Sequence, residues 1–285
     1  MTVDRTVVIS GTSSGIGLEA AVAAARAGWR TVATMRDTSR DTSRDADLRE
    51  AARKEGVADL VEVRRMDVTD PGSVQACIAG VVADHSRLDA VVNNAGAGHV
   101  GTLEQESVED VRAVMEVNFF GVLQVTHAAL PHLRSSGGRV VTVTSVGGVV
   151  GQPFNEAYCA AKFAVEGFME SLHPVAAGVG VTVTVVEPGA VASEFVSNAG
   201  VDQDALLARA GVYAPALKAY LERTARSFAG AQSPRDAAAT VLEALTADAP
   251  PLRLQTSDGA RDFVGAKLAD LDGGTVTRLT SGWVS

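Results

Sequence analysis

Tyr158 and Lys162 stand four residues apart in Tyr158-Cys159-Ala160-Ala161-Lys162, within a stretch that reads as helix. At that spacing two side chains share one helix face and reach each other. The pair suggests proton exchange. A phenol has an ordinary pKa of about 10, too high for efficient acid/base work at neutral pH, and a neighbouring ammonium lowers it. Ser145 lies 13 residues earlier, at the end of a β-branched run, and offers the second donor that a carbonyl oxygen needs for polarisation. Asn118, in Val117-Asn118-Phe119-Phe120-Gly121, completes a set of four. Taken singly, each has a plain structural explanation: a surface Tyr and Lys, a strand-cap Ser, a helix Asn. In order along one chain they point to catalysis.

Four such residues need a scaffold. Short β-branched runs alternate with Ala-rich helical stretches, and strands are predicted at residues 6–10, 31–34, 60–64, 90–93, 139–144, 181–186 and 252–255. Each leads into a turn signal or a segment of helical periodicity, the first helix spanning 15–27. This alternation predicts an α/β fold, a doubly wound parallel sheet with helices on both faces. No long polar linker divides the 285 residues, so one domain is expected. Residues 38–45 carry a DTSR repeat that reads as a solvated surface loop. Residues 190–230 form a helical, partly apolar insert with Phe195, Leu206, Leu207, Tyr213, Leu217 and Tyr220. An insert beyond the C-terminal end of a strand suits a substrate lid, with an ordinary packed helix pair as the alternative. Residues 255–285 make a C-terminal extension.

Between the first strand and helix lies Ser10-Gly11-Thr12-Ser13-Ser14-Gly15-Ile16-Gly17. Gly11 permits a tight turn, Gly15 lets backbone approach a pyrophosphate, and Gly17 lets the helix pack closely on the sheet. The helix N-terminus then offers N–H groups and positive dipole charge to phosphates. The second strand runs into Met35-Arg36-Asp37. An acid about 20 residues beyond the glycines selects Asp37 and NAD(H). The neutral Met35 followed at once by Arg36 favours NADP(H), because a guanidinium clasps a 2′-phosphate through paired hydrogen bonds. Ser13 adds a hydroxyl donor, and an ion pair of Arg36 with Asp37 or Asp41 is the plain alternative.

Composition sets the outer bounds. The chain is 46% hydrophobic and 21% charged, enough apolar material for a large core. Its net charge of −9, from 25 basic and 34 acidic residues, argues against nucleic acid and anionic membranes as partners. Lysine is scarce: Lys54, Lys162, Lys218 and Lys267 are all there are. Cys77 and Cys159 have no CxxC spacing and read as free thiols, and no signal peptide or membrane span is read, so a cytoplasmic protein is expected. The histidines 85, 99, 127, 132 and 173 are scattered, and no metal site is expected.

Asn93-Asn94-Ala95-Gly96, Asn118, Ser145 and the Tyr158–Lys162 pair, all behind this glycine turn and in this order, resemble the short-chain dehydrogenase/reductase family over nearly the whole chain. The resemblance implies a Rossmann-type fold and NAD(P)(H) chemistry. It makes Tyr158 the proton donor and acceptor, Ser145 the residue that orients the substrate oxygen, Lys162 a partner of the nicotinamide ribose, and Asn118 the holder of a relay water. It also implies that the cofactor lies along Ser14, Ile16, Asn94, Ala95 and Gly96, meets Asp67-Val68 at the adenine, and meets Pro188, Gly189, Val191 and Ser193 at the nicotinamide. In the family, helices matching residues 107–133 and 158–173 pair between subunits, which implies a homodimer or homotetramer. Pro174 is expected to end the second of these helices.

Within the family, residues 145–164, 33–37 and 251–254 resemble the branch of 17-beta-hydroxysteroid dehydrogenase type 1 and photoreceptor retinol dehydrogenase, whose members favour NADP(H). A steroid-acting member of that branch holds the far end of its substrate with a C-terminal histidine and glutamate. Here the last histidine is His173, and the final six residues contain no acid. The expectation is an NADP(H)-dependent oxidoreductase interconverting a carbonyl and an alcohol on a medium-sized, mostly apolar substrate, with Ser145, Val149, Pro153 and Asn155 lining the pocket. A non-catalytic NADP(H)-binding protein on the same fold is the alternative.

Overall fold

The computed structural model describes residues 5–38, 45–193 and 203–284. Its seven strands are β1 (Thr6–Ser10), β2 (Arg30–Met35), β3 (Val61–Arg65), β4 (Ala90–Asn93), β5 (Arg139–Val143), β6 (Thr182–Glu187) and β7 (Arg253–Gln255). All pair in parallel in the order β3-β2-β1-β4-β5-β6-β7. This is the doubly wound sheet expected from the alternating pattern. The helices are α1 (Gly15–Arg26), α2 (Ala46–Lys54), α3 (Pro71–His85), α4 (Val108–Met115), α5 (Gly121–Ser136), α6 (Glu156–Ala177), α7 (Gln203–Arg209), α8 (Ala214–Ala229), α9 (Pro234–Thr246), α10 (Asp258–Leu268) and α11 (Gly274–Ser281).

The β-branched runs form strands because both faces of each are covered. Val8, Val32, Val91, Val140 and Val183 pack with residues of α3, α5 and α6 on one side. Their neighbours Val7, Ile9, Ala33, Val92 and Val141 pack with α1 and α9 on the other. The period of two thus assigns successive residues to two apolar layers, and each fully buried aliphatic side chain contributes roughly 1.5–3 kcal/mol. Strand order reverses beside β1, whose neighbours β2 and β4 lead away in opposite directions. A crevice opens at such a switch point, beyond the strands' C-terminal ends.

Two helices differ from expectation. The stretch 107–133 is α4 and α5 joined by a wide π turn, Glu116–Phe120, that carries Asn118. By length and composition alone, Val108–Ser136 would suit a membrane span, yet Val122, Val125, Ala129 and Leu133 on its inner face pack on the sheet. Pro174 does not end α6, which runs on to Ala177. Proline removes one donor to the preceding turn, while the next turn is fixed by buried Ala176, whose carbonyl accepts from the N–H groups of Val179 and Val181 at 3.0 Å each.

Phe195 and the core of the DTSR repeat, residues 39–44, lie outside the described residues. The described part of the insert, α7 and α8, forms its own apolar cluster with Phe154, in which Leu217 and Tyr220 are buried.

Candidate active site

The glycine turn leaves β1 with Gly11 at φ +70° and enters α1 with Gly15 at φ +60°, both in the left-handed region that glycine adopts freely. A β-carbon on Gly11 would lie 2.8 Å from the Ala95 Cα, so the turn and the segment after β4 touch backbone to backbone. Asn94 ties them together. Its Nδ2 donates to the carbonyls of Ser10 and Gly11 at 2.9 Å each, while the Ser10 hydroxyl accepts from the N–H groups of Asn94 and Ala95. At the N-cap of α1, Ser14 makes no side-chain cap. Ile16 turns its side chain into the core, so the first N–H groups of the helix are left for an anion. A β-carbon on Gly15 would come 3.2 Å from Ser193 Cβ, so the second residue after the 188–191 segment closes on the turn. Pro188 accepts from the Val146 N–H at 2.9 Å, and buried Val191 bridges to Gln232. The cradle formed by Gly11, Ser13, Ser14, Gly15, Ile16 and Gly17 fits a dinucleotide pyrophosphate.

At the other end of the crevice, Arg36 is exposed just beyond β2. Burial alone would raise the Asp67 carboxyl, but hydrogen bonds from Thr69 and the charges of Arg36 and Arg65 hold it below the usual range. Arg65 sits at the end of β3 in register with Met35. Two guanidiniums therefore flank the site expected for a ribose, where the sequence pattern singled out one. Val68 is buried against Gly121 on the π-turn side.

Asn118 is buried inside the π turn. Its Nδ2 donates to the carbonyls of Ala97 and Val114 at 3.0 and 3.1 Å, and its Oδ1 accepts from Ala97 N–H. A β-carbon on Gly96 would meet Asn118 Oδ1 at 2.9 Å and Lys162 Nζ at 3.6 Å, so these two polar groups converge on one glycine. Lys162 is buried and donates to the Val143 carbonyl at 3.1 Å. Its Nζ lies 5.8 Å from the centre of the Tyr158 ring. Ser145 follows β5 in extended conformation, and a β-carbon on Gly147 would lie 3.3 Å from both Ser145 Oγ and Tyr158 Cε1. The structure thus brings Asn118, Ser145, Tyr158 and Lys162 to one wall of the crevice.

The electrostatics correct one expectation. Burial pushes the Tyr158 phenol up to about 12, with the hydrogen bond from Ser145 working against it, so desolvation and not a neighbouring ammonium sets the direction. Tyr158 is only half-buried by surface, yet it is enclosed densely enough for desolvation to dominate. The Lys162 ammonium is lowered to about 8 by the same burial, opposed by the Glu166 charge. At neutral pH the tyrosine is therefore a protonated donor beside a lysine close to its own titration.

The residues expected to line a pocket divide. Val149 is buried with Val150, Val264 and Val276, against the two C-terminal helices. Pro153 and Asn155 lie on the loop before α6, and Asn155 Nδ2 donates to the Pro153 carbonyl at 3.2 Å and to the Tyr220 hydroxyl on α8. The insert is also pinned by Tyr213 donating to Glu104 at 2.5 Å and by Gln105 donating to the Arg209 carbonyl at 3.2 Å. These ties were invisible in the sequence, as were Arg65, Glu166 and Glu187, because each depends on residues far apart in the chain.

An open parallel sheet with a phosphate cradle at its switch point is the architecture of a Rossmann-type dinucleotide-binding protein. Residues 5–204 match the family model of short chain dehydrogenases, and the chain belongs to that family. Similarity runs to the branch expected. Retinol dehydrogenase 8 of Bos taurus is 36% identical over 290 residues, covering 97% of this chain and 89% of that protein. The 17-beta-hydroxysteroid dehydrogenase type 1 of Homo sapiens is 36% identical over 276 residues, covering 94% and 83%. Among solved structures, a short chain dehydrogenase/reductase of Burkholderia phymatum in complex with NAD has a TM-score of 0.78 at 25% identity, covering 94% of each chain. An alcohol dehydrogenase of Thermococcus sibiricus complexed with 5-hydroxy-NADP has a TM-score of 0.69 at 26% identity, covering 88% of this chain and 95% of that one. The protein is an oxidoreductase of carbonyl and alcohol substrates that takes a nicotinamide dinucleotide.

Proposed function

We propose that this protein is an NADP(H)-dependent carbonyl reductase and alcohol dehydrogenase acting on a medium-sized, mostly apolar substrate, with Tyr158 as the proton donor. The convergence of a protonated Tyr158, Ser145 and buried Lys162 beside a dinucleotide cradle carries this reading. When bound, the nicotinamide supplies or accepts the hydride. Ser145 donates a hydrogen bond to the substrate oxygen and polarises it, and Tyr158 gives that oxygen its proton. Lys162 holds the nicotinamide ribose and is itself held by the Val143 carbonyl. Asn118 keeps the π turn open beside Lys162 and positions the water that refills the tyrosine. Ser193, Pro188, Gly189 and Val191 orient the nicotinamide, fixing which ring face meets the substrate.

Arg36, supported by Arg65, favours NADP(H), because paired guanidiniums suit a 2′-phosphate. Apolar residues around Phe154 and on α8 favour a hydrophobic substrate, in keeping with the retinoid and steroid names of its relatives. We read residues 190–230 as a lid over one domain that spans 1–285. Phe120 at the end of the π turn and Phe163 and Phe168 on α6 are half-exposed and suit pairing between subunits as a homodimer or homotetramer. Unpaired, buried Cys77 and Cys159 suit a reducing cytoplasm.

NADPH consumption followed by its ultraviolet absorbance, against steroidal, retinoid and aryl ketones, tests the reading. Turnover that falls by about 10²-fold or more in Tyr158→Phe, with NADPH binding retained, supports it. Tight NADPH binding without turnover on the whole panel would instead indicate a non-catalytic binding protein.

A further inference from the structure

The face of α6 that carries Tyr158 and Lys162 continues at the same four-residue interval with Glu166 and Glu170. Glu166 is buried directly after the catalytic pair, and a second buried carboxyl, Glu187, faces it from the end of β6. Arg253 on β7 meets all three acids: its Nε lies 3.2 Å from Glu166 Oε2 and 3.3 Å from Glu187 Oε1, and its Nη2 lies 2.6 Å from Glu170. Gln255 adds one donor to Glu187 at 2.8 Å. One guanidinium cannot balance three ionised carboxyls where two are out of water, so the cluster favours keeping a proton.

Thr144 Oγ1 lies 2.5 Å from Glu166 Oε1 and 3.1 Å from the Val186 carbonyl. A hydroxyl has one proton to give, and the Val186 carbonyl competes with Glu166 for it, so Thr144 supports the Glu166 carboxylate only in part. The turn at Val146–Gly148 presses on this point of the helix. A β-carbon on Gly148 would lie 3.0 Å from Glu166 Cγ and 3.1 Å from the Lys162 carbonyl.

We propose that Glu166 is a positioning residue for the Tyr158–Lys162 pair, a buried carboxyl whose proton sets the charge state of Lys162 one helical turn away. This rests on the reading that Tyr158 and Lys162 exchange the substrate's proton. The groups facing Glu166 are Lys162 and Glu170 on its own helix, Glu187 on β6 and Arg253 on β7; the β5 end contributes only the Thr144 hydroxyl. Burial raises Glu166 to about 7, with the Thr144 bond and Arg253 opposing and Glu187 reinforcing. As pH rises through neutrality, Glu166 becomes a carboxylate, and its charge opposes the loss of the Lys162 proton that burial promotes, holding that midpoint at about 8.

The scarcity of lysine makes a direct test feasible. Protein labelled with ¹³C at lysine Cε gives signals from only four lysines, and Lys162→Arg identifies the one that matters. In Glu166→Gln the Lys162 midpoint falls by about half a pH unit or more, roughly threefold in proton affinity, and Glu166→Asp restores part of it. Thr144→Val, which removes the bond favouring the carboxylate but keeps the carboxyl, shifts the midpoint the same way and serves if Glu166→Gln does not fold. The alkaline limb of the kcat/KM profile for ketone reduction moves with it. An unchanged Lys162 midpoint in these variants overturns the proposal. A wild-type protein that reduces no ketone sinks the proposed reaction instead, and the lysine titration still decides the role of Glu166.

Discussion

Gly17 and Asn94 approach so closely that a β-carbon on the glycine would lie 2.4 Å from Asn94 Nδ2 and 2.2 Å from the Gly11 carbonyl oxygen. That amide is already committed to the Ser10 and Gly11 carbonyls, so it cannot turn aside without orphaning them. Gly17→Ala should therefore lower stability by about 1–3 kcal/mol, as overpacking does, and weaken dinucleotide binding at the same time. Thermal melts with and without NADPH check both effects; an alanine variant that melts and binds like the parent would show that the turn can yield.

Arg36→Ala should weaken NADPH binding by about ten- to a hundredfold, the scale of a lost charge-assisted contact. NADH binding should stay within about twofold, since no charged contact is lost there. Arg65→Ala should have a smaller effect of the same sign. Titration calorimetry with both nucleotides decides it, and equal losses for the two would remove Arg36 from the phosphate site.

Tyr220 links α8 to the loop before α6 through Asn155. Tyr220→Phe deletes that bond at about 1 kcal/mol, so KM for a bulky ketone should rise about fivefold with little change in kcat. A drop in kcat with unchanged KM would place the insert's role in chemistry rather than in closure.

Stability should also follow the Glu166 proton. Its pKa lies above the ordinary 4.5, at about 7, so the folded chain holds more protons than the unfolded one in that window. Its contribution is complete below the ordinary value and is lost as pH rises through about 7. Glu166→Gln has no proton to lose. The Tm of the variant relative to the parent should therefore increase by ~2 °C or more between about pH 5 and about pH 8. A constant difference would mean that Glu166 does not titrate there.

Much of this was legible in the chain itself. β1 and β4 begin and end where their β-branched runs do, because strands covered on both faces need no polar alternation to be recognised. The four residues that meet at one wall of the crevice were also readable, since Tyr158 and Lys162 share a helix and Ser145 follows a strand. Direction of titration was not. Whether an ammonium or burial governs Tyr158 depends on how much protein surrounds it, which spacing does not encode. Arg65 lies just past the strand predicted at 60–64 and gained its place only when the register set it opposite Met35. Glu166, Glu187 and Arg253 are separated by long stretches of sequence and become neighbours only when β6 and β7 pair.

Arg253 also has a place in time. A chain made from its N-terminus has Glu166 and Glu187 in hand well before it has β7, the last strand of the sheet. Until that strand arrives, two carboxyls destined for the interior lack the guanidinium that joins them, and water is the better host for Glu187. The ion pairs that join α6 to β6 are complete only after residue 253 is made, so the shortest strand described acts as a latch on two buried carboxyls.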